Sequence, residues 1–428
     1  MIQISQFSFE NPRFLNLLGR RGGIPEEVEL TVKEILQNVR KNGDRALHAY
    51  MKKYDGADID KIGLLVSEEE FENARKKVSE PFKEAVRAAC DNLLCFHRKQ
   101  LPEGYQECGE DGVILERRYV PINSAAVMVP GSIAPLVSTL CMNLIPAIVA
   151  GVPNLCILTK PGKNGTIDEH LLYTADYLGV RNYYKISGAQ GLAAVAYGTE
   201  TVKRVDAILG PGNNYTQMAK KLLYGQVKID ALAGPSEIAI IADGNASPTY
   251  IAADLLSQAE HGTGFEAATA FCPTLEQARR IRDELIRLSG EYGLSGAAAA
   301  SLENYGDIFV TESQEEAVEA VNRIAPEHAE LLLDNPEEAL RSLTNAGAVF
   351  VGAYSTEPVG DYFCGTNHIL PTCGTARFSS GMSVQEFMRG YSVIRYTEAA
   401  LRKNAGHITA LAEAEGMRAH ALAVQVRR

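Results

Sequence analysis

The C-terminal half of this 428-residue chain contains three short segments whose polar residues could do chemistry together. In the first, Gln258 and His261 are spaced i, i+3 near the end of a predicted helix, so both side chains project from one face. An amide oxygen and an imidazole placed in this way can share a metal ion. The alternative is that His261 only ends the helix, where its partial positive charge suits the helix dipole. This segment alone leaves both interpretations open.

Glu327 and His328 form the second segment, directly after Pro326. The proline favours an extended or turn conformation, which places two titratable groups together. A histidine near its unperturbed pKa of about 6.5 can accept the proton of an alcohol, and an adjacent carboxylate can activate water. The alternative is a solvated charge pair at the start of a helix formed by the residues that follow.

The third segment contains Asp361, in a glycine-bounded stretch immediately after a predicted strand. Loops that follow strands in α/β sheets carry binding and catalytic residues more often than packing residues. A single aspartate is weak support for a site, so Asp361 gains weight only together with the other two segments.

The elements that must position these residues follow a repeating strand and helix pattern from Ala125 onward. Short β-branched runs at 125–129, 182–186 and 205–209 each lead into a glycine-containing turn and an Ala- or Leu-rich helix. This pattern predicts an α/β fold with two Rossmann-like parallel-sheet domains and helical additions at both ends. In such sheets ligands bind at the carboxyl ends of the strands, where most of these glycine-rich turns lie.

Several helices can be placed from local signals. Helices are predicted within 25–56, where Val28, Val32, Ile35 and Leu36 share a face, and within 67–100. Ser247 is the expected N-cap of the helix that carries Gln258, and Ser313 with Glu316 forms an S-x-x-E capping box. Residues from Ser383 onward are predicted to be helical, with no strand partner. The predicted division is an N-terminal arm at 1–25, a first α/β domain from 26–124 and 238–382, a second at 125–237, and a helical tail at 383–428.

Composition limits the class of partner. With 42 Lys and Arg against 53 Asp and Glu, the formal net charge is −11 and the pI is about 5.4. This balance argues against nucleic acid or an anionic membrane surface and favours a small-molecule ligand. The eight cysteines form no C-x-x-C pair, no export signal precedes the first helix, and prolines interrupt the longest apolar stretch, at 127–158. We therefore expect a soluble, cytoplasmic protein with idle thiols.

The common nucleotide and hydrolase motifs are absent from the sequence. There is no G-x-G-x-x-G, no G-x-x-x-x-G-K-[ST], no H-E-x-x-H and no G-x-S-x-G. The nearest glycine pattern, at 210–212, is followed by Asn213 and Asn214. Any dinucleotide must therefore be bound without the usual fingerprint.

Many segments in one order resemble the histidinol dehydrogenase family. The resemblance rests on GAQGLAAVAYGTETV at 188–202, GPGNNY at 210–215, AGPSE at 233–237, AADLLSQAEH at 252–261, APEH at 325–328, NAGAVFVGAY at 345–354, VGDY at 359–362, NHILPT at 367–372, GTARFSSG at 374–381, and a C-terminal pattern from Glu415 to His420. The matching segments extend over about 230 residues. They are far more specific together than any single motif. The N-terminal third resembles the family mainly in pattern.

The resemblance implies a zinc- and NAD-dependent enzyme that oxidises L-histidinol through the aldehyde to L-histidine, the last steps of histidine biosynthesis. It implies one Zn²⁺ per subunit, and a homodimer in which the C-terminal tail of each subunit completes the active site of the other. The implied zinc ligands are Gln258, His261, Asp361 and His420. Glu327 and His328 match the acid/base pair. The other implied contacts are Ser236, Glu415 and His368 for the substrate, joined by His328 and the zinc ligands, and Met128, Gln190 and Asn213 for the cofactor.

Three places depart from the family's usual pattern. Met128 to Ser132 reads M-V-P-G-S where Tyr-Val-Pro-Gly-Gly is usual, which removes a ring that could stack on the cofactor or donate a hydrogen bond to it. Ser124-Ala125-Ala126 replaces Arg-Val-Gly, and Thr366 replaces a proline. Two alternatives follow from the residues: a paralogue that oxidises another primary alcohol, such as a sulfonated propanediol, and a zinc-binding protein in which Glu327 and His328 are incidental.

Overall fold

The structure is a computed structural model that describes residues 2–20, 24–130 and 135–428. Two parallel sheets dominate it. The six-stranded sheet has the order β1-β11-β10-β9-β12-β13, and every neighbouring pair is parallel. Its strands are β1 (Gln3–Gln6), β9 (Glu237–Ala242), β10 (Ala267–Cys272), β11 (Gly306–Val310), β12 (His328–Leu332) and β13 (Ala348–Val351).

The five-stranded sheet has the order β6-β5-β4-β7-β8 and is also parallel throughout. Its strands are β4 (Ser124–Met128), β5 (Asn154–Leu158), β6 (Tyr183–Tyr184), β7 (Ala207–Leu209) and β8 (Lys228–Ile229). The chain builds outward from β4 through β5 to β6, and then continues on the other side of β4 with β7. This reversal opens a crevice at the carboxyl ends of β4 and β7, where ligands bind in sheets of this type. The predicted fold class, with two Rossmann-like parallel sheets, is confirmed.

A third, antiparallel sheet corrects one prediction. Its order is β14-β3-β2, with β2 (Tyr105–Cys108), β3 (Ile114–Pro121) and β14 (Met388–Arg395). The prediction that residues from Ser383 are helical with no strand partner is wrong for 388–395, because all eight residues of β14 pair with β3. The β-branched and aromatic residues within M-R-G-Y-S-V-I-R favour an extended strand over a helix. Only the last part of the tail is helical.

Helices cover both faces of the parallel sheets, as buried apolar clusters on each side show. They are α1 (Pro12–Gly19), α2 (Glu26–Tyr50), α3 (Ile59–Ile62), α4 (Glu68–Lys77), α5 (Glu80–Arg98), α6 (Val137–Ala150), α7 (Glu169–Tyr177), α8 (Gly188–Tyr197), α9 (Asn214–Leu223), α10 (Pro248–Ala259), α11 (Leu275–Tyr292), α12 (Gly296–Tyr305), α13 (Gln314–Ile324), α14 (Glu337–Ser342), α15 (Glu357–Tyr362), α16 (Glu398–Ala414) and α17 (Arg418–Gln425).

The local signals hold with two adjustments. Ser247 is the N-cap residue of α10 and Pro248 its first helical residue, although the Ser247 side chain makes no capping hydrogen bond. Ser313 accepts a hydrogen bond from the Glu316 amide at 3.2 Å, while the Glu316 side chain accepts from the amide of Glu312 instead of closing the box. The shared face of α2 is buried as expected.

The N-terminal segments pack in a way that bears on the domain division. Strand β1 pairs with β11, so the first residues belong to the six-stranded sheet. Helices α2, α4 and α5, which the division places with that sheet, pack against α8, α7 and α6 around the five-stranded sheet. The division itself stays a prediction. All eight cysteines are free thiols, and within the described ranges no helix is long and apolar enough to cross a membrane.

Candidate metal and catalytic site

His328 is the first residue of β12, a central strand of the six-stranded sheet, and its side chain is 2% exposed. Its Nδ1 lies 3.2 Å from the carbonyl oxygen of Glu237 and 3.1 Å from Oε1 of Gln258. Since both partners only accept, Nδ1 carries the proton and donates it. The other nitrogen, Nε2, is therefore an acceptor, and it is buried without a hydrogen-bond partner in the described chain.

The charge state of His328 follows from its surroundings. Burial first, and then the neighbouring His261 and His368, lower its pKa from 6.5 to about 3. The ring is thus neutral near neutral pH, and the lone pair of Nε2 is available. The expected helix after His328 is wrong, because 328–332 form a strand buried between two neighbours. A short apolar run of this length cannot be assigned to helix or strand from its periodicity.

Glu327 adjoins His328 and is also buried. Its Oε2 accepts hydrogen bonds from the hydroxyl of Ser236 and, at 3.3 Å, from the amide of Glu237. Burial raises the pKa of Glu327 well above its ordinary value, and the nearby charges of Asp361 and Glu237 raise it further. The predicted substrate contact Ser236 is therefore hydrogen-bonded to Glu327, the predicted acid/base residue, and the two side chains lie next to each other in the site.

Two helices bring three of the four predicted metal ligands together. Gln258 is fully buried near the end of α10, and His261 lies just beyond that end with its Nδ1 3.1 Å from the Gln258 carbonyl oxygen. Asp361 lies in α15, not in the expected loop, and its Oδ1 is 3.9 Å from Nε2 of His328. Burial first, then the charge of Glu357, raises the pKa of Asp361 to about 7.

Glu357, one turn before Asp361, completes this group. One ligand atom each from His261, Glu357 and Asp361 lies within 4.8 Å of the other two. Imidazole, carboxylate and amide oxygen together suit Zn²⁺ and also accept other divalent transition metals. The donor set and its spacing therefore fit a metal ion. Sequence reasoning missed Glu357, although its i, i+4 spacing from Asp361 in E-P-V-G-D was a readable signal.

His368 lies against the same site. Its Nδ1 is 3.8 Å from Oδ1 of Asp361, and its Nε2 is 3.3 Å from the hydroxyl of Thr139 on α6. Burial lowers the pKa of His368 to about 4, so this imidazole is also neutral near neutral pH. Thr139 links the six-stranded sheet's site to a helix of the other sheet, a connection that no sequence motif indicated.

Glu415 and His420 stand apart from the site within one chain. Both are exposed, Glu415 at the end of α16 and His420 in α17. In the described part of the chain, no hydrogen bond or ion pair joins either side chain to the residues around His328. One chain thus brings together Gln258, His261, Glu327, His328, Asp361, His368 and Ser236, but leaves these two residues outside.

The three predicted cofactor contacts lie around the carboxyl edge of the five-stranded sheet. Met128 ends β4 and is buried against the turn after β7, where Gly210 adopts φ +108°. A Cβ on Gly210 would lie 2.2 Å from the Met128 carbonyl oxygen, so only glycine allows this approach. Asn213 caps α9 by accepting from the Thr216 amide at 3.2 Å.

Gln190, the third of these residues, lies in α8, and its side chain is held by a hydrogen bond to Asp55. Its Nε2 donates to Oδ2 of Asp55 at 2.9 Å, and Asp55 forms an ion pair with Lys160 at 3.1 Å. Burial raises the pKa of Asp55. Part of the departure from the family's usual pattern, at Ser132, lies outside the described residues.

A buried carboxyl pair supports α15 from behind. The backbone amide of Glu357 donates to Oε1 of Glu330 at 3.0 Å, and Thr356 donates to Asp254 at 2.5 Å. Asp254 is a neighbouring carboxyl group whose negative charge acts on Glu330. Burial, reinforced by the charge of Asp254, raises the pKa of Glu330 to about 9, so Glu330 keeps its proton near neutral pH. The start of α15 is therefore held by two side chains of the six-stranded sheet and α10.

The metal-free chain is expected to lose stability as the pH rises from about 4.5 to about 9. An unfolded glutamate releases its proton near 4.5, whereas folded Glu330 keeps it to about 9, so the folded state binds the extra proton and its stability falls across this window. Thermal unfolding at both ends of the window measures the slope. Glu330→Gln keeps a side-chain oxygen that can accept the hydrogen bond of the Glu357 amide but does not titrate, so the slope should decrease. An unchanged slope contradicts this assignment.

The parallel α/β fold, the neutral imidazole beside a carboxylate, and the metal-ligating set suit a metal-dependent enzyme that transfers protons. The family model for histidinol dehydrogenase matches residues 20–428. A histidinol dehydrogenase from Geobacillus kaustophilus is 46% identical over 402 residues, which cover 94% of this chain and 94% of that protein. One from Bacillus subtilis is 43% identical over 402 residues, covering 94% and 93%.

A solved structure agrees with these sequences. The crystal structure of histidinol dehydrogenase from Elizabethkingia anophelis matches with a TM-score of 0.93 at 34% identity, covering 100% of this chain and 98% of that one. The chain belongs to the histidinol dehydrogenase family. The predicted resemblance is confirmed.

Proposed function

We propose that this enzyme oxidises L-histidinol through L-histidinaldehyde to L-histidine, with two molecules of NAD reduced. The observation that carries this proposal is Nε2 of His328, a buried, unpartnered acceptor fixed by donation from Nδ1 to Glu237 and Gln258. Such a group suits the removal of a proton from a primary alcohol. The names of the relatives support this substrate over another primary alcohol.

The proposed metal is zinc, held by Gln258, His261 and Asp361 of one subunit and by His420 of the partner subunit. The single chain supports a contribution from a partner, because its own His420 is exposed and away from these ligands. We therefore propose a homodimer that exchanges its C-terminal tails. When bound, NAD supplies the hydride acceptor and zinc orients the amine and imidazole of the substrate.

The first oxidation requires His328 to take the hydroxyl proton of the alcohol on Nε2. Its neutral state near neutral pH leaves that atom free to accept. We assign substrate contacts to Ser236, His368, Glu415 and the four zinc ligands, and cofactor contacts to Met128, Gln190 and Asn213. The close approach of Gly210 to Met128 holds the carboxyl ends of β4 and β7 together beside these residues.

The second oxidation requires the aldehyde hydrate, so a water molecule must lose a proton as it attacks the carbonyl. Glu327 is the proposed base for this step. Its raised pKa gives it the proton affinity that a general base needs, while Ser236 and the Glu237 amide hold its orientation. Glu327 and His328 thus divide the two proton transfers between adjacent residues.

The purified enzyme is expected to form two molecules of NADH for each L-histidinol consumed, because each oxidation releases one hydride. Absorbance at limiting substrate measures this ratio. Removal of the metal by a chelator should abolish turnover, and added Zn²⁺ should restore it. A sulfonated propanediol is the control substrate: turnover of it but not of L-histidinol contradicts the proposal, and a ratio of one contradicts the second step.

A further inference from the structure

A buried ion pair lies beside the glycine turn that follows β7. Its members are Lys220 of α9, with a side chain 1% exposed, and Asp230, which directly follows β8 and has a side chain 7% exposed. The Lys220 ammonium group pairs with Oδ1 of Asp230. Two apolar side chains of similar volume often stabilise a fold as well as a buried ion pair does. The contacts of this pair are therefore more informative than its contribution to stability.

Both members of the pair bind one residue, Gly210. Oδ2 of Asp230 accepts from the Gly210 amide at 2.8 Å, and Nζ of Lys220 donates to the Gly210 carbonyl oxygen at 2.9 Å. This amide and this carbonyl belong to successive planar peptide groups, so holding both fixes the φ and ψ angles between them. Gly210 gains from such support because glycine, which alone adopts its φ of +108° readily, is also the most flexible residue.

A second side chain of α9 holds the other end of the turn. Gln217 lies one helical turn before Lys220 and is 3% exposed. Its Nε2 donates to the Gly212 carbonyl oxygen at 3.2 Å, and its Oε1 accepts from the Ala233 amide at 3.0 Å. The main chain is thus held at both Gly210 and Gly212 by side chains that project from one helix.

The turn has the form that the proposed cofactor needs. A strand, a glycine turn and a helix start in this order bind the phosphates of dinucleotides in parallel α/β sheets, since the main chain can approach the ligand closely. A Cβ on Gly212 would lie 2.5 Å from side-chain atoms of Met128 and Thr216, so the turn is closely packed. Because the chain lacks the G-x-G-x-x-G fingerprint, other residues must set the shape of this turn.

We propose that Lys220 and Asp230 are positioning residues for NAD, which hold the turn at 210–213 in its binding shape by fixing both peptide groups of Gly210. This inference rests on the proposed NAD-dependent enzyme. A turn that is fixed in advance loses little backbone entropy on binding, so NAD binds more tightly than it would to a mobile turn. The pair acts on the affinity for NAD, whereas the proposed proton transfers take place at His328 of the other parallel sheet.

The test measures NADH affinity in a variant that replaces both charges with apolar side chains, Lys220→Met with Asp230→Leu. The Kd for NADH, from the change in its fluorescence on binding, should rise about tenfold, as expected if binding must first fix the backbone of one residue. KM for NAD should rise by a similar factor, while kcat at saturating NAD and KM for L-histidinol keep their wild-type values. In the NAD-free protein, amide hydrogen exchange at 210–213 should become faster.

Two further variants accompany this one. Lys220→Met with Asp230→Asn is milder, since the asparagine oxygen can still accept from the Gly210 amide, and its Kd for NADH should lie between the other two. The matched control is Arg75→Met with Asp176→Leu, which removes an ion pair between α4 and α7, beside β6 at the opposite edge of the same sheet. This control should keep the wild-type Kd for NADH.

An unchanged Kd for NADH in the pair variants overturns the inference, as does an equal rise in the Arg75 and Asp176 control. If the apolar variant does not fold, the milder variant decides by the same criterion. An unmodified enzyme that binds no NADH contradicts the proposed function itself, whereas tight NADH binding that is insensitive to the pair contradicts only this inference.

Discussion

Replacing His328 with asparagine is expected to lower kcat for L-histidinol by about 10²- to 10⁴-fold, the range lost with a general base. The amide of asparagine can occupy the place of Nδ1 and keep the hydrogen bonds to Glu237 and Gln258. The acceptor Nε2 is lost, because no asparagine atom reaches its position. Steady-state NADH formation measures the effect, and metal analysis verifies that zinc is still bound.

The neighbouring variant Glu327→Gln gives the comparison. It should leave the first proton transfer to His328 and impair the hydration step, so aldehyde should accumulate and trapping with a carbonyl reagent should detect it. A zinc-binding protein without catalysis predicts that neither change matters. Turnover near the wild-type rate in both variants, with zinc retained, would support that reading and contradict the assigned roles.

Mixing two inactive variants is expected to restore about a quarter of the wild-type activity if the tails are exchanged. A His420→Ala subunit keeps His328 and the other site residues outside the tail, and a His328→Asn subunit keeps an intact tail. Random pairing makes half of the dimers mixed, and each mixed dimer has one complete site. Co-expression with two different affinity tags followed by tandem purification isolates the mixed dimer for assay.

The complementation experiment distinguishes a tail that completes the partner's site from a tail that completes the site of its own subunit. If each tail completed its own subunit's site, every site in the mixture would lack either His328 or His420, and activity would not exceed the sum of the parents. A double variant, His328→Asn with His420→Ala, is the control partner. It should fail to complement His420→Ala, because it contributes neither a tail ligand nor a base.

Much of the site could be predicted because its residues lie at positions that local rules describe. The i, i+3 spacing of Gln258 and His261 placed them on one face at the end of α10, and the structure brings both to His328 and Asp361. The Ser247-Pro248 start of that helix was also readable. Helical periodicity and turn residues depend only on neighbouring residues in the sequence, so predictions based on them do not require knowledge of the fold.

The rest depends on contacts between distant parts of the chain. Strand β14 was missed because its pairing partner, β3, lies more than 260 residues earlier. The alternative interpretation of Glu327 and His328 placed the residues that follow, including Glu330, in a helix, yet Glu330 lies in β12 and holds the start of α15. Burial of Glu357 follows from the packing of α15 on α10 and β12, which no spacing along the sequence reveals. The i, i+4 spacing of Glu357 and Asp361 can be read from the sequence, but the burial of Glu357 and its position beside His261 depend on the fold.

The pairing of β14 with β3 also sets how the tail can act on a neighbour. Eight paired residues attach the chain firmly up to Arg395, and only α16 and α17 extend beyond this anchor. In the proposed dimer, His420 is therefore delivered by a short, largely helical arm, which confines it to a small volume around the partner's metal. A ligand confined in this way has a high effective concentration, so a single imidazole can bind tightly without a large interface of its own.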